Sequence, residues 1–343
     1  MHGQGTSLRT YLLTRLALAI PTVLILLTMV FLLMRVAPGN PIQAALGWHV
    51  SQEEIQRRSA EAGYDRPILT QYAEYIRDAL TLNLGNTLTD HRPVTSILTE
   101  NGTATLELTF YAFTIALVVG VSIGVAAGRY RDTFVDTGGR MFGIFVYAAP
   151  VFFTGFLLQL LFGSALGWLP TSGRVGPITE FELSKPTHIY TIDAIVTGNW
   201  NALGDVLRHM ILPSITLGLL VSGVLIRLVR VNLLQTMRGD YVEAARARGV
   251  GERRVVLHHA FRNALVPVVT VAGLQFALLL GGAILTEETF NWPGIGSELV
   301  RYLNNRDYIA VQGIITFFAL VVVAISLLID FVNAWIDPRV RYT

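Results

Sequence analysis

The chain has no cysteine among its 343 residues, which excludes a disulfide scaffold and thiolate metal sites. Lys185 is its only lysine, and it stands in Leu183-Ser184-Lys185-Pro186 without neighbouring glycines. A G-x-x-x-x-G-K-[ST] loop, in which glycine amides and a lysine cradle phosphates, is therefore absent. So is H-E-x-x-H. His258 and His259 are adjacent, so on a helix they diverge by about 100° and make poor shared metal ligands. Enzymatic chemistry, a bound cofactor and a metal site all lack support. Charge is scarce as well. Only 15% of residues are charged, against about 25% in soluble domains.

What is abundant is apolar sequence, 52% of the chain. It gathers into six runs: Leu16–Met34, Thr109–Gly128, Met141–Gly173, Met210–Ile226, Ala264–Thr286 and Tyr308–Ile329. A helix needs about 20 apolar residues to cross a bilayer. The first run is longer than a signal-peptide core of about 7–15 residues and ends in a turn, Arg35-Val36-Ala37-Pro38-Gly39, so it reads as an uncleaved span. These runs predict an all-α polytopic membrane protein with six transmembrane helices. A re-entrant segment within 141–173 would change the count.

The polar stretches divide the chain further. Residues 1–35 form a cytosolic N-terminus and first helix. Residues 36–103 mix acids and bases (Glu53, Glu54, Arg57, Arg58, Glu74, Arg77, Asp78), with Pro67, Gly85 and Pro93 as punctuation, and predict a small extracytoplasmic subdomain. Residues 104–336 carry five more helices, and 337–343 form a cytosolic tail. The loop at 174–205 has an acidic bias (Glu180, Glu182, Asp193, Asp205). Arginine concentrates at the N-terminus, around Arg129–Arg140, in 239–267 and in the tail. By the positive-inside rule these segments are cytosolic.

The most densely charged run is Gly239 to Pro267, with Arg246, Arg248, Arg253, Arg254, Arg262, His258 and His259. Asp240 is expected to cap a short helix over Tyr241–Arg248, with Glu243 reaching back in a capping box. Gly249 stands where a left-handed C-cap is wanted. A second helix is expected from about Glu252 to Asn263. Beside two spans, such a basic run suits anionic lipid or an acidic protein surface better than nucleic acid. Its bland reading is an amphipathic helix lying on lipid.

Within the spans, small residues recur every fourth position: Gly120, Gly124 and Gly128; Ser214, Gly218 and Ser222; Gly273, Ala277 and Gly281. This spacing lets helix backbones approach closely. Glu107 and Asp330 are rare charges near span ends, where a solvated or capped carboxylate is expected rather than a proton relay. Gln159 and Gln275 either line a path or bond between helices.

Glu243-Ala244-Ala245-Arg246-Ala247-Arg248-Gly249 resembles the EAA loop of ABC importer permeases. Where that family often has Leu-Pro, this chain has Phe261-Arg262, and its proline comes later, in Leu265-Val266-Pro267. That pattern resembles the B-type permease of the dipeptide, oligopeptide and nickel importers. Further resemblances lie in Arg35-Val36-Ala37-Pro38-Gly39-Asn40-Pro41, in Tyr64-Asp65-Arg66-Pro67 with Gln71-Tyr72, and in Leu84-Gly85. Thr289-Phe290-Asn291-Trp292-Pro293-Gly294-Ile295-Gly296, Asn305-Arg306-Asp307-Tyr308 and Asp337-Pro338-Arg339-Val340-Arg341-Tyr342 add to them. The resemblance implies the type I importer transmembrane fold in a bacterial plasma membrane. It implies a second related permease, two cytosolic ATP-binding subunits and an extracytoplasmic peptide-binding protein as partners, with membrane lipid around the helices. It also implies that Asp240, Tyr241, Glu243, Ala244, Ala245, Arg248 and Gly249 form the coupling contact with the ATPase. An ion-coupled secondary transporter is the rival; it wants buried carboxylates or broken helices at the midplane. A membrane scaffold or receptor without transport is the other.

Overall fold

The structure is a computed structural model describing residues 8–36, 51–61 and 63–336. The turn at 37–41 and the tail at 337–343 lie outside the described residues. Among those described, the chain is helical, with one isolated bridge between Asn86 and Pro93 and no strand.

Helix α1 covers Leu8–Val36. The short α2 (Gln52–Glu61) and α3 (Ile68–Leu80) follow. Helix α4 runs from Val94 to Arg129 without a break. At 1.5 Å per residue it is about 54 Å long, far more than a bilayer needs. Its first turns thus belong to the polar stretch read up to residue 103. Helix α5 (Phe134–Ala148) leads to α6 (Val151–Leu158), which continues as a π-helical turn over Gln159–Ala165. Short helices α7 (Pro177–Glu182) and α8 (Tyr190–Val196) fold the acidic loop. Helix α9 spans Trp200–Thr236. Helices α10 (Asp240–Ala247) and α11 (Glu252–Arg254) follow. A π segment, Val255–Ala260, joins α11 to α12 (Phe261–Gly282). Helices α13 (Ile284–Thr289), α14 (Ile295–Asn304) and α15 (Tyr308–Ile336) complete the order.

Helices α1, α4, α9 and α15 are each long and apolar enough to cross a membrane, and two bent pairs raise the number to six. The run at 141–173 is not one straight span. The chain turns by 103° between α5 and α6. Ala149 precedes Pro150 and is extended at φ −70°, ψ 130°, because the proline ring disfavours helical geometry in its predecessor. The second bend, 55°, falls between Leu265 and Pro267.

Helices α4 and α9 form the centre. A Cβ added to Gly120 would meet Leu225 Cβ at 2.5 Å, one on Gly124 would meet Val229 Cβ at 2.7 Å, and one on Gly128 would meet Leu233 Cδ2 at 2.9 Å. Gly218 returns the contact: a Cβ there would meet the Ala112 carbonyl oxygen at 2.6 Å. Two of the small-residue stripes therefore bring α4 and α9 together within one chain. On the third, Gly273 packs on Ile329, while Gly281 has no neighbour within 4 Å. Leu108, Ala112, Ala116, Leu217, Val221, Leu225 and Trp292 fill the core between these helices. The apolar window of α9 is 61% buried and that of α1 only 17%, so α1 lies at the periphery.

Candidate functional site

The loop after α9 is a helix-turn-helix hook. Gly239, rather than Asp240, is the N-cap of α10 (φ −77°, ψ 144°), and no side chain caps it. The capping box does not form, because the Gly239 carbonyl already takes the amides of Val242 (2.8 Å) and Glu243 (3.3 Å) and moves the helix start back by one residue. Asp240 and Glu243 still lie in the first turn, where the helix dipole favours negative charge. A Cβ at Gly239 would meet Tyr241 Cε1 at 2.6 Å. Glycine lets the ring close over the turn, and the Tyr241 hydroxyl donates to the Thr236 carbonyl at 3.3 Å.

The C-terminal end follows the sequence reading. Gly249 has φ +77°. Its amide donates to the Arg246 carbonyl (2.9 Å), and that of Val250 to Ala245 (3.2 Å). This pair of bonds is the Schellman arrangement, which satisfies carbonyls left over by the helix end. Val250 packs on the cluster that holds Ala245, supplying the apolar contact that accompanies the motif. The second helix differs from expectation. Its α-helical start is three residues long, and the π segment carries it through Asn263 into α12. The Asn263 side chain bonds back to the His259 carbonyl at 3.2 Å, so it rides on the helix instead of ending it.

Val242 and Ala245, three apart on α10, are fully buried against Leu233, Val255, Val256, Ala260 and Ala264. Asp240, Tyr241, Glu243, Ala244, Arg248 and Gly249 are exposed. The two alanines thus part company: Ala244 is on the outer face and Ala245 sits inside the chain's own core. Arg246 clamps the turn, with Nε 3.1 Å and Nη2 2.8 Å from the two oxygens of Glu252. Just above the hook, fully buried Asp136 on α5 accepts Arg230 Nε and Nη2 of α9 at 2.6 and 2.7 Å. The Asp132 amide (3.1 Å) completes that site. It ties the α4–α5 turn to the helix that carries the hook.

The opposite end of the bundle is held by polar anchors. Glu107 on α4 is buried, not solvated. Its Oε2 accepts Arg174 Nε at 3.1 Å and Nη2 at 2.5 Å, and its Oε1 accepts the Thr191 amide at 2.8 Å and the Thr191 hydroxyl. Arg174 Nη2 also donates to the His188 carbonyl, and its guanidinium lies 3.6 Å from the Tyr190 ring centre. Glu287 is equally buried, accepting Thr105 Oγ1 at 2.6 Å and the Ser297 amide at 2.9 Å. Burial pushes its carboxyl above the usual carboxylate range. Gly294 and Gly296 allow this fit, since a Cβ on either would strike the carboxyl. Asp307 takes the Leu88 and Thr89 amides (2.6 and 2.9 Å) and the Ala310 amide at the start of α15.

Sequence reading singled out Glu107 and missed Asp136, Glu287 and Asp307 as anchors. Asp307 had a legible signal, an aspartate just before an apolar helix. The bonds of Asp136 to Arg230 and of Glu287 to Thr105 had none, because these partners are remote in sequence. Gln159 bonds between elements, donating to the carbonyls of Thr171 (2.7 Å) and Thr289 (3.0 Å). Asp330 pairs with Arg15 of α1 at 3.6 Å.

Six potential spans, a helical hook seated below α9 and polar anchors at the far end define a membrane transport component. Residues 120–342 match the family described as binding-protein-dependent transport system inner membrane component. Residues 8–109 match the N-terminal region of such membrane components. The chain belongs to this family, the permeases of ABC importers, and is a multi-pass membrane protein. It is 35% identical over 332 residues to the dipeptide transport system permease protein DppB of Alkalihalophilus pseudofirmus, covering 97% of this chain and 99% of that one. It is 36% identical over 334 residues to the di/tripeptide permease DppB of Pseudomonas aeruginosa, with coverage of 97% and 99%. It is also 35% identical over 332 residues to the glutathione permease GsiC of Pectobacterium atrosepticum, with the same coverage.

Proposed function

We propose that this chain forms half of a translocation pathway for di- and oligopeptides, the other half being a second related permease. Two cytosolic subunits hydrolyse ATP, and an extracytoplasmic binding protein delivers the peptide. Both termini and the hook face the cytosol, in a bacterial plasma membrane. The observation that carries this reading is the seating of α10. Val242 and Ala245 fix it to the bundle, while Asp240, Tyr241, Glu243, Ala244, Arg248 and Gly249 are left on one exposed surface. A helix held in this way passes a push from an ATPase cleft into α9 and α12 as a rigid body. Ala245 contributes by seating the helix, and the six exposed residues make the contact. The names of relatives that carry dipeptides, di/tripeptides and glutathione favour short peptides as cargo. The rival ion-coupled carrier wants buried carboxylates or broken helices at the midplane. Glu107 and Glu287 are buried but held by fixed donors at the far end of the bundle, and the bends near Pro150 and Pro267 are a feature it shares with this chain.

The test is peptide uptake and ATP hydrolysis by the whole complex in vesicles. Glu243→Arg reverses charge on the exposed face. Gly249→Pro is incompatible with φ +77°, since proline is fixed near −65°. Both variants are expected to insert normally and to hydrolyse ATP without moving peptide. Normal ATP-driven uptake in both would overturn the coupling role.

A further inference from the structure

A recess of about 490 Å³ lies where α1 ends, walled by α3, the segment 83–88 and the first turns of α15. Its walls are fixed. Tyr72 of α3 shares a hydrogen bond with Thr28 of α1 (2.6 Å), and Tyr75 of α3 shares one with Thr316 of α15 (2.7 Å). Arg35 and Gln71 both line the recess. The Arg35 guanidinium is held between aromatic rings, 4.4 Å from the centre of Tyr64 and 5.0 Å from that of Phe31. Its Nε and Nη1 are nevertheless buried with no hydrogen-bond partner among the described residues. Gln71 has its amide nitrogen committed to the carbonyls of Tyr64 (3.2 Å) and Arg66 (2.7 Å). That fixes the side chain, and its Oε1 is also buried and unpartnered. Buried donors and acceptors in proteins are nearly always satisfied. Here two residues that line one cavity carry a cationic donor and a neutral acceptor left unpaired among the described residues.

The place of the recess identifies what satisfies them. Arg35 ends the apolar segment Leu12–Arg35, at the depth where a span meets lipid headgroups. One turn earlier, Leu32 and Leu33 are 50% and 61% exposed on the peripheral α1, and Ile68 and Leu69 at the start of α3 are 56% and 78% exposed. Apolar surface for acyl chains thus adjoins a polar cavity with an open guanidinium. Glu74 and Asp78 also line it, engaged by Arg66 and Arg77.

We propose that this recess is a phospholipid headgroup site. The phosphodiester accepts from Arg35 in charge-assisted hydrogen bonds. The ammonium or hydroxyl at the end of the headgroup donates to Gln71 Oε1, and the acyl chains lie along Leu32 and Leu33. Free phosphate lacks both the donor and the chains. The site rests on the chain spanning a membrane, and not on the peptide cargo or the coupling role.

The experiment is native mass spectrometry of the delipidated whole complex, titrated with phosphatidylethanolamine or phosphatidylglycerol. Arg35→Gln removes the cation. Asn83→Trp adds bulk at an exposed position on the rim and leaves Arg35 in place. Each variant is expected to weaken the tightest lipid-binding step by roughly tenfold or more, with assembly and ATP hydrolysis retained. Equal lipid affinity in wild type and both variants would overturn the site. Displacement of the lipid by millimolar inorganic phosphate would overturn the lipid as occupant. Because peptide uptake is not the readout, failure here is distinct from failure of the transport reading.

Discussion

The hook itself and the far end of this bundle are held by different physics, with buried Asp136 and Arg230 anchoring the bundle just above the hook. At the far end, buried carboxylates join elements remote in sequence: Glu107 to Arg174 and Thr191, Glu287 to Thr105 and Ser297, Asp307 to Leu88 and Thr89. In the hook, the buried contacts are apolar, Val242 and Ala245 on Val255, Val256 and Ala260. The ion pair that closes its turn, Arg246 with Glu252, is solvent-exposed. Directional bonds in a low-dielectric interior fix one arrangement and make partial loss costly. An apolar seat with a glycine-made turn gives a stiff small unit whose outer face is free for a partner.

This contrast predicts a graded response to substitution. The largest effect belongs to Arg174→Met, which leaves Glu107 buried without its cation. A broken buried pair costs about 3–5 kcal/mol, so folded yield and thermal stability in detergent are expected to collapse. The double variant Arg174→Met with Glu107→Gln is expected to recover much of the loss. Equal damage in both would show that the pair is not what holds 174–196 to α4. Next comes Val242→Thr, which puts a hydroxyl into the seat. It is expected to cost about 1–3 kcal/mol but to act locally, raising amide exchange across 240–260 while the rest of the bundle stays protected. Exchange spread evenly over α4 and α9 would erase the distinction between the two ends.

A third prediction concerns pH. The Tyr302 phenol, fully buried, donates to Asp90 Oδ2 at 3.0 Å. Burial and then the Asp90 carboxylate push its pKa up to about 12 from its ordinary 10.0. The folded protein holds this proton more tightly than the unfolded chain. The resulting stability is full below about pH 10 and is lost as pH rises through about 12. Tyr302→Phe is expected to remove that alkaline slope, read as the difference in melting temperature between the two proteins from neutral pH to pH 12. The smallest effect is Arg246→Ala. An exposed pair contributes about 0–1 kcal/mol, so stability should scarcely change. A loss as large as that for Arg174→Met would mean the hook is anchored by charge after all.

Much of this architecture was legible beforehand. The apolar runs gave the long helices, and Gly249 gave the turn, because a left-handed residue after a short helix is a local requirement. The every-fourth-residue glycines pointed to close packing, though not to which helix meets which. The capping box was misread because it competes with an equally local alternative. Gly239 can adopt the extended N-cap geometry itself, with the Tyr241 ring lying against it. The bend at Pro150 hid within an uncharged run, since hydropathy registers composition and not direction.

The sequence by itself determined that the chain is helical, crosses a membrane and carries a glycine-closed basic hook. Those properties follow from hydrophobic length, backbone preference and spacing, all short-range. Only the tertiary structure decided that Ala245 faces inward while Ala244 faces out, and that Glu107, Asp136, Glu287 and Asp307 are anchors. It alone shows that Arg35 and Gln71 line one recess with buried atoms unpaired among the described residues. A carboxylate reads the same in sequence whether it meets water or a guanidinium. Its role is set by the partner that folding brings to it and by the water that packing removes.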